Sequence, residues 1–243
     1  RTVTLDTQYR MHPELGRFVS REFYEVHGDG EITSPRAAAE FSHDLPGYAN
    51  PEGPCAAAWL DVPADRGPER RGRSKSRPAE AMAIAREVRR LIDHDSTLTF
   101  GVIAFYADQV DEIGRAMLAE GLTEPTRRGR GWRVAERWAL TRDTAGKSVE
   151  RLRVGTVDAF QGKEFDVVFL SITRSNGLPA ATDEQQRHKY GHLMLENRLC
   201  VAMSRQRRLL VAVGDRAFVQ AAASLRPLRS FLDLCGGSHG VVR

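Results

Sequence analysis

Short, nearly continuous apolar runs alternate with amphipathic stretches along most of the chain. The apolar runs, each about as long as a buried strand, lie at residues 57–62, 99–105, 167–172 and 208–213. Between them, residues 78–92 and 107–119 repeat apolar side chains at the i, i+3, i+4 spacing of a helix. Strands that are apolar on both faces, with helices between them, predict an α/β fold in which two helical layers cover a parallel sheet.

Further helices are predicted at both ends of the chain. Pro13 suits the first turn of a helix, and Leu15, Phe18, Val19 and Phe23 then follow at helical spacing. Three more helices are predicted at residues 193–204, 215–222 and 225–234. Residues 28–72 are rich in turn signals, and the basic segment 66–77 and the polar segment 177–190 are predicted to be surface loops.

The segment 154–176 combines two apolar runs with a polar turn. A short apolar stretch ends at Thr156 and Val157, the turn contains Gln161 and Glu164, and the strongly apolar run 167–172 follows. In α/β proteins, loops between buried strands display chemical groups at the edge of the sheet. We therefore expect this segment to carry part of a functional site.

Residues 121–153 form a basic insertion with two tryptophans. Trp132 and Trp138 lie among arginines at positions 127, 128, 130, 133, 137 and 142. Cations interleaved with aromatic rings suit phosphate contacts and base stacking, so the insertion could lie on a nucleic-acid path. The alternative is a solvated loop or hairpin whose tryptophans pack onto the body of the domain.

Length, composition and charge limit the possible class of protein but do not indicate a function. A chain of 243 residues with 41% hydrophobic and 28% charged residues can bury a sizeable core as one domain. The net charge of +4 permits a polyanionic partner without requiring one. The three cysteines form no C-x-x-C pair, which favours neither zinc nor disulfides, and a cytoplasmic setting is expected. The apolar runs are too short to cross a membrane, and the start at Arg1 without Met suggests a piece of a longer protein.

Three segments together resemble the second RecA-like motor domain of superfamily 1 helicases, in the branch of senataxin and the RNA helicase of nonsense-mediated decay. The segments are LDTQYRMHPEL at 5–15, VGTVDAFQGKEFDVVFLSITRSN at 154–176 and RLCVAMSRQR at 198–207. They resemble that branch's motifs IV, V and VI, in the same order. The resemblance implies a P-loop NTPase-like fold, with residues 1–243 forming a single RecA-like domain.

The resemblance also implies roles for individual residues. Arg10 and Arg205 would act as catalytic arginines, because a planar and permanently charged guanidinium matches phosphate geometry. Contacts to the nucleotide are implied for Gln8, Tyr9, Gln161, Gly162 and Glu164, and contacts to nucleic acid for Thr156, Asp158 and Arg174. Three alternatives stay open: Tyr9 could be a buried core residue, Gly162 could serve only the turn, and Arg205 could only complement a helix end.

The third segment departs from the family pattern, and one common motif is absent from the sequence. Cys200 stands where the family usually has Asn, and Met203, Ser204 and Gln206 replace its Leu, Thr and Ala. The chain contains no G-x-x-x-x-G-K-[ST] phosphate loop, because Gly146-Lys147-Ser148 lacks the earlier glycine. ATP with Mg²⁺ is therefore expected to bind between this domain and an upstream RecA-like domain, which would hold the metal ligands.

The sequence thus predicts the second motor domain of an ATP-dependent helicase or translocase acting on single-stranded DNA or RNA. An inactive nucleic-acid-binding or partner-docking module derived from a helicase is the alternative, which the altered third segment favours. The isolated domain is expected to lack ATPase activity.

Overall fold

The fold is known from a computed structural model that describes residues 6–72, 74–126, 131–143 and 145–243. Leu5 of the segment 5–15 lies outside the described residues, as do Arg127, Arg128 and Arg130 of the insertion. The α-helices in the described part are α1 (Pro13–Phe23), α2 (Pro78–Ile92), α3 (Ala107–Ala119), α4 (Glu136–Ala139), α5 (Asp183–Tyr190), α6 (Glu196–Ala202), α7 (Arg216–Gln220) and α8 (Arg226–Cys235).

The strands build one large parallel sheet and three small antiparallel pairs. The small pairs are β1 (Ala49–Asn50) with β2 (Gly53–Pro54), β5 (Thr123–Pro125) with β6 (Trp132–Val134), and β7 (Leu140–Arg142) with β8 (Ser148–Glu150). The large sheet contains β3 (Ala57–Asp61), β4 (Phe100–Ala104), β9 (Leu152–Thr156), β10 (Phe165–Ser171), β11 (Gln206–Gly214) and β12 (Gly240–Val242). Its order is β12-β3-β11-β10-β4-β9, with every neighbouring pair parallel.

Alternate side chains of the central strands enter two separate cores. In β10, Val168 and Leu170 pack on the side covered by α1, α6 and α8, whereas Val167 and Phe169 pack on the side covered by α2 and α3. Strands that bury both faces need apolar residues at every position, which is why these runs are continuously apolar. The predicted three-layer α/β fold with a parallel sheet is confirmed.

A tight crossover connects β9 to β10 and passes over β4. Because parallel strands start at the same edge of a sheet, residues 157–164 must return from the carboxyl end of β9 to the amino end of β10. They do so without an α-helix, through a 3₁₀ turn at Val157–Phe160. Gly101 of β4 lies directly beneath, where a Cβ atom would come within 2.8 Å of the Phe160 ring and 3.0 Å of the Phe165 ring. The close approach of this segment to the sheet therefore depends on the absence of a side chain at Gly101.

The structure differs from the sequence prediction at several places. A helix, α5, occupies part of the polar segment expected to be a loop, and the edge strand β12 was not predicted. Helix α6 begins at Glu196 and ends at Ala202, so it is shorter than predicted. Arg77, placed in a surface loop by its basic neighbours, is fully buried because its guanidinium donates to the carbonyls of Val62, Pro63 and Gly67.

The described part of the 121–153 segment packs its tryptophans onto the body of the protein. Trp138 is buried and donates from Nε1 to the carbonyl of Gly121, while Trp132 packs over Gly114 of α3. The guanidinium groups of Arg89, Arg137 and Arg151 lie 4.9–5.1 Å from the Trp138 ring centroid. These contacts use the Trp138 ring internally, which agrees with the alternative of a hairpin tucked onto the domain.

Within the described residues, no helix is both long enough and apolar enough to pass through a membrane.

Candidate functional site

The residues predicted for nucleotide contact converge at the amino-terminal ends of β10 and β11. Glu164 immediately precedes β10, and Arg205 immediately precedes β11. A main-chain hydrogen bond of 3.0 Å from Phe165 N to Arg205 O joins these two strand starts. Parallel pairing of the two strands thus brings together side chains that are 41 positions apart in sequence, since 205 − 164 = 41.

The loop of residues 8–12, which precedes α1, packs against the start of β11. His12 N donates to Arg207 O at 2.8 Å, and the His12 ring caps α1 by accepting from Glu14 N. Burial, with a further contribution from His239, lowers the pKa of His12 to about 4, so its ring is neutral at pH 7. A neutral ring keeps the Nδ1 lone pair that the cap requires.

Gln8 shapes this loop from within. Its side-chain oxygen accepts from Met11 N at 2.8 Å, and its side-chain nitrogen donates to Met11 O at 3.0 Å and to Ser34 Oγ at 2.6 Å. These bonds make Gln8 a support for the loop that carries Tyr9 and Arg10, while its contact with the nucleotide stays a prediction.

Arg10 reaches across to Glu164. Its Nε donates to Glu164 Oε2 at 2.8 Å, and its Nη1 donates to the carbonyl of Ser204 at 3.1 Å. Both side chains are partly exposed, so the ion pair lies at the surface and contributes little to stability. It fixes the direction of Arg10 without burying it.

Arg205 lies beside Arg10 and folds back onto the end of α6. Its Nε donates to Val201 O and its Nη2 to Ser204 Oγ, both at 2.9 Å. Burial and the positive charge of Arg10 lower the pKa of Arg205. The charge of Arg10 thus disfavours the charged form of Arg205, and an anion bound beside both groups would relieve this repulsion.

Two more arginines add to the positive charge of this cluster. Arg207 Nε lies 3.9 Å from Glu164 and 3.7 Å from Asp166, and Arg208 Nε lies 3.3 Å from Asp166. The Arg207 Nε atom is buried and makes no hydrogen bond with the described residues. Within this described cluster, three guanidinium groups lie within 4.0 Å of the carboxylates of Glu164 or Asp166, and a fourth, that of Arg205, lies close enough for Glu164 to influence its pKa.

Tyr9 and the turn at 161–162 complete the surface. The side chain of Tyr9 is exposed, at 63% of its full accessibility, which excludes the buried-core alternative. Gln161 is exposed, and Gly162 has a φ of +73°, a conformation that disfavours residues with a Cβ atom. Gly162 therefore serves the turn, while its part in nucleotide binding stays a prediction.

Thr156 and Asp158 lie at the carboxyl ends of the parallel strands, on the opposite side of the sheet from the strand starts that carry Glu164 and Arg205. Thr156 ends β9, and Asp158 follows in the 3₁₀ turn with a largely exposed carboxylate. Arg198 of α6 donates to this carboxylate at 2.6 Å. Two groups of predicted site residues thus sit at the two ends of the crossover segment 157–164.

Arg174 does not lie on a surface that nucleic acid could reach. Its side chain is 2% exposed, and its guanidinium donates to Glu69 at 3.0 Å, His188 O at 2.9 Å and Tyr106 Oη at 3.3 Å. A contact between Arg174 and nucleic acid would require this buried arrangement to open, and it stays a prediction. Arg174 ties the segment after β10 to the segment before α2.

The helix predicted at residues 193–204 ends earlier than expected. Helix α6 ends at Ala202, and Arg205 lies beyond this end, directly before β11. Ser204 and Arg207 also belong to the site but were not predicted, because both gain their contacts only through folding. The one signal in the sequence is their position near Arg205.

Among the described residues there is no group of three or more His, Cys, Asp or Glu side chains placed to hold a metal ion.

A parallel sheet between two helical layers, with an arginine cluster at the start of its central strands, defines a RecA-like α/β domain. The AAA domain family matches residues 1–217, and the chain belongs to this family, as the C-terminal RecA-like domain of superfamily 1 helicases. The family resemblance found in the three sequence segments is thereby confirmed.

Relatives support the same assignment. The chain is 28% identical over 247 residues to the DNA-binding protein SMUBP-2 of Mesocricetus auratus, covering 98% of this chain and 20% of that protein. It is 26% identical over 218 residues to helicase sen1 of Schizosaccharomyces pombe, covering 87% and 10%. It is 39% identical over 84 residues to the DNA polymerase alpha-associated DNA helicase A of Saccharomyces cerevisiae, covering 35% and 11%. The chain therefore spans a fifth or less of the length of these relatives.

Proposed function

We propose that this chain is the second motor domain of an ATP-dependent helicase or translocase, and that the arginine cluster forms one wall of its ATP site. The observation that carries this proposal is the excess of guanidinium groups around Glu164. Arg10 and Arg205 lie side by side, and Arg207 has a buried nitrogen without a hydrogen bond to the described residues. A triphosphate is the kind of ligand that relieves such an excess of positive charge.

Each residue of the wall has a chemical task in this proposal. The exposed ring of Tyr9 stacks on the adenine, and the Glu164 carboxylate accepts from ribose hydroxyls. Arg10 and Arg205 donate to phosphate oxygens where negative charge develops during transfer. ATP, when bound, supplies the phosphoryl group whose transfer to water drives the motor. Gln161 and Gly162 hold the turn that places Glu164.

The rest of the site belongs, in this proposal, to an upstream RecA-like domain of the same full-length protein. That domain would provide the phosphate loop and the Mg²⁺ ligands. Closing the cleft between the two domains would bring their groups together, so the chain on its own should not hydrolyse ATP. A phosphate loop and Mg²⁺ ligands from the upstream domain would complement the guanidinium groups and the exposed Tyr9 ring of this chain.

The crossover segment would connect the ATP site to the nucleic-acid strand. Glu164 stands at its end near the arginine cluster, while Thr156 and Asp158 stand at the other edge of the sheet, roughly 16 Å away for a five-residue strand. We propose that Thr156 and Asp158 face single-stranded DNA or RNA, with Arg198 giving this end a cation. ATP binding or hydrolysis at Glu164 would then shift Thr156 and Asp158 against the nucleic acid, because the same short segment holds all three residues.

The test is ATP hydrolysis by the full-length protein with Arg205→Ala. We expect kcat to fall by about a thousandfold or more, because an arginine that stabilises transferring phosphoryl charge contributes on that order. Binding of single-stranded nucleic acid, measured by fluorescence anisotropy, should be unchanged. Arg17→Ala, which removes an exposed arginine on α1, is the matched control. Turnover within a few-fold of wild type in Arg205→Ala would remove this residue from the mechanism.

A further inference from the structure

Ser204 lies between the two proposed catalytic arginines and contacts both. Its backbone carbonyl accepts from Arg10 Nη1 at 3.1 Å, and its side-chain oxygen accepts from Arg205 Nη2 at 2.9 Å. The residue is 7% exposed, so water has little access to replace these bonds. One residue thus touches both guanidinium groups through two different oxygens.

The hydroxyl of Ser204 has a defined direction. It donates to Val201 O at 3.2 Å, which leaves its lone pairs for the guanidinium of Arg205. Arg205 Nε also donates to Val201 O, at 2.9 Å. Arg205 is therefore held at two points on the carboxyl end of α6, and only one of these depends on a side chain.

The hydrogen bond from Arg205 to Ser204 acts against the electrostatic repulsion between Arg10 and Arg205. Arg10 and Arg205 are close enough for the charge of Arg10 to disfavour the charged form of Arg205. Without an anchor, a long arginine side chain beside a like charge would turn toward solvent. A hydrogen bond to a charged donor is strong enough to limit that freedom.

We propose that Ser204 is a positioning residue for Arg205, whose hydroxyl holds the guanidinium ready for the phosphoryl group. The inference rests on the proposed role of Arg205 in ATP hydrolysis. Ser204 itself touches no nucleotide in this account. Its backbone carbonyl supports Arg10 whatever the side chain, so substitution of the side chain separates the two arginines.

The experiment compares Ser204→Ala, Ser204→Thr and Arg205→Ala in the full-length protein by steady-state ATP hydrolysis with saturating single-stranded nucleic acid. We expect Ser204→Ala to lower kcat about tenfold, the effect of one lost charge-assisted hydrogen bond, while KM for ATP changes less than about threefold. Ser204→Thr keeps the hydroxyl and should restore kcat to within about twofold of wild type. Folding is checked by circular dichroism, and Val201 O keeps a donor in every Ser204 variant.

The double variant Ser204→Ala with Arg205→Ala decides whether the hydroxyl acts through Arg205. If it does, the double variant is no slower than Arg205→Ala alone. A multiplied loss in the double variant, equal losses in Ser204→Ala and Ser204→Thr, or a wild-type kcat in Ser204→Ala would each overturn the inference. A wild-type kcat in Arg205→Ala would instead contradict the proposed function itself.

Discussion

Several arginines of this basic chain serve the interior rather than a charged surface. Arg77 is fully buried with its guanidinium on three main-chain carbonyls, and Arg151 donates to Ile92 O near the end of α2. Arg174 forms a buried ion pair with Glu69. A guanidinium has five donors, so it can satisfy several carbonyls that would otherwise be buried without partners. Net charge alone therefore overstates how much of this surface is available to nucleic acid.

Arg174→Ala should destabilise the protein by about 3 kcal/mol, because it leaves the Glu69 carboxylate buried without its cation. Chemical denaturation followed by circular dichroism measures this change. Arg17→Ala, whose arginine is exposed in its pair with Glu14, should change stability by less than about 0.5 kcal/mol. Equal stability of the two variants would contradict the buried ion pair.

His12 makes stability depend on acidity. Its folded pKa of about 4 lies below the 6.5 of an unfolded histidine, so between these values the unfolded chain binds a proton that the folded chain does not. Stability that is fully present above pH 6.5 is therefore lost as the pH falls toward 4. His12→Asn keeps an acceptor for the α1 cap and should remove this loss.

Between pH 7 and pH 4.5, wild type should lose about 2 kcal/mol more free energy of unfolding than His12→Asn does. Urea denaturation at both pH values measures the difference. His27→Asn alters a half-exposed histidine and should follow wild type at both pH values. Parallel loss of stability in wild type and His12→Asn would show that His12 is not the group responsible.

At the scale of elements, the crossover from β9 to β10 is short and closely packed. It returns from the carboxyl end of β9 to the amino end of β10 in eight residues, from 157 to 164, and the rings of Phe160 and Phe165 pack over Gly101 of β4. A longer connection with an α-helix would separate Thr156 and Glu164 by many more residues. The short connection is what allows one segment to hold residues at both edges of the sheet.

Gly101→Ala should destabilise the protein by about 1–3 kcal/mol, because its Cβ atom would overlap the rings of Phe160 and Phe165. ATP hydrolysis by the full-length protein should fall as well, since the turn that carries Glu164 would shift. Gly177→Ala is the matched control, because nothing lies within 4 Å of its Cβ position. Thermal unfolding compares the two, and a Gly101→Ala protein as stable as Gly177→Ala would mean that the crossover is not tightly packed.

The sequence predicted most of the sheet and one part of the site. Strands such as β4 and β10 are recognisable because both faces are buried, which leaves continuous apolar runs. Helix α5 is polar throughout and β12 is only three residues long, so neither has a periodic signal. Their formation depends on neighbours that are distant in sequence.

The site was predictable only as separate motifs. Periodicity gave no sign that Arg10 would meet Glu164, 154 positions later, or that Arg174 would be buried on Glu69. The motif resemblance named Arg10, Arg205 and Glu164, which the structure brings together, while their roles toward a nucleotide stay predictions. It did not name Ser204, whose contacts arise where α6 ends and β11 begins.

At the scale of the whole molecule, the amino ends and the carboxyl ends of the parallel strands carry different side chains. The amino-terminal edge of β10 and β11 presents the arginine cluster and Tyr9, while the carboxyl end of β9 presents Thr156 and Asp158. We propose that the first faces ATP and an upstream domain, and the second faces a nucleic-acid strand. In this account the protein acts as half of a motor, because its positive wall needs a second wall that holds the phosphates from the other side.

A crystal structure of the full-length protein with Mg²⁺, ADP and aluminium fluoride, which together mimic the transferring phosphoryl group, tests this claim most directly. We expect Arg10 and Arg205 each to place a guanidinium nitrogen within about 2.7–3.2 Å of the fluoride or a phosphate oxygen. Tyr9 should stack on the adenine, and Arg10 should have left the carboxylate of Glu164. A bound nucleotide with both guanidinium groups turned away from the phosphates would contradict the account.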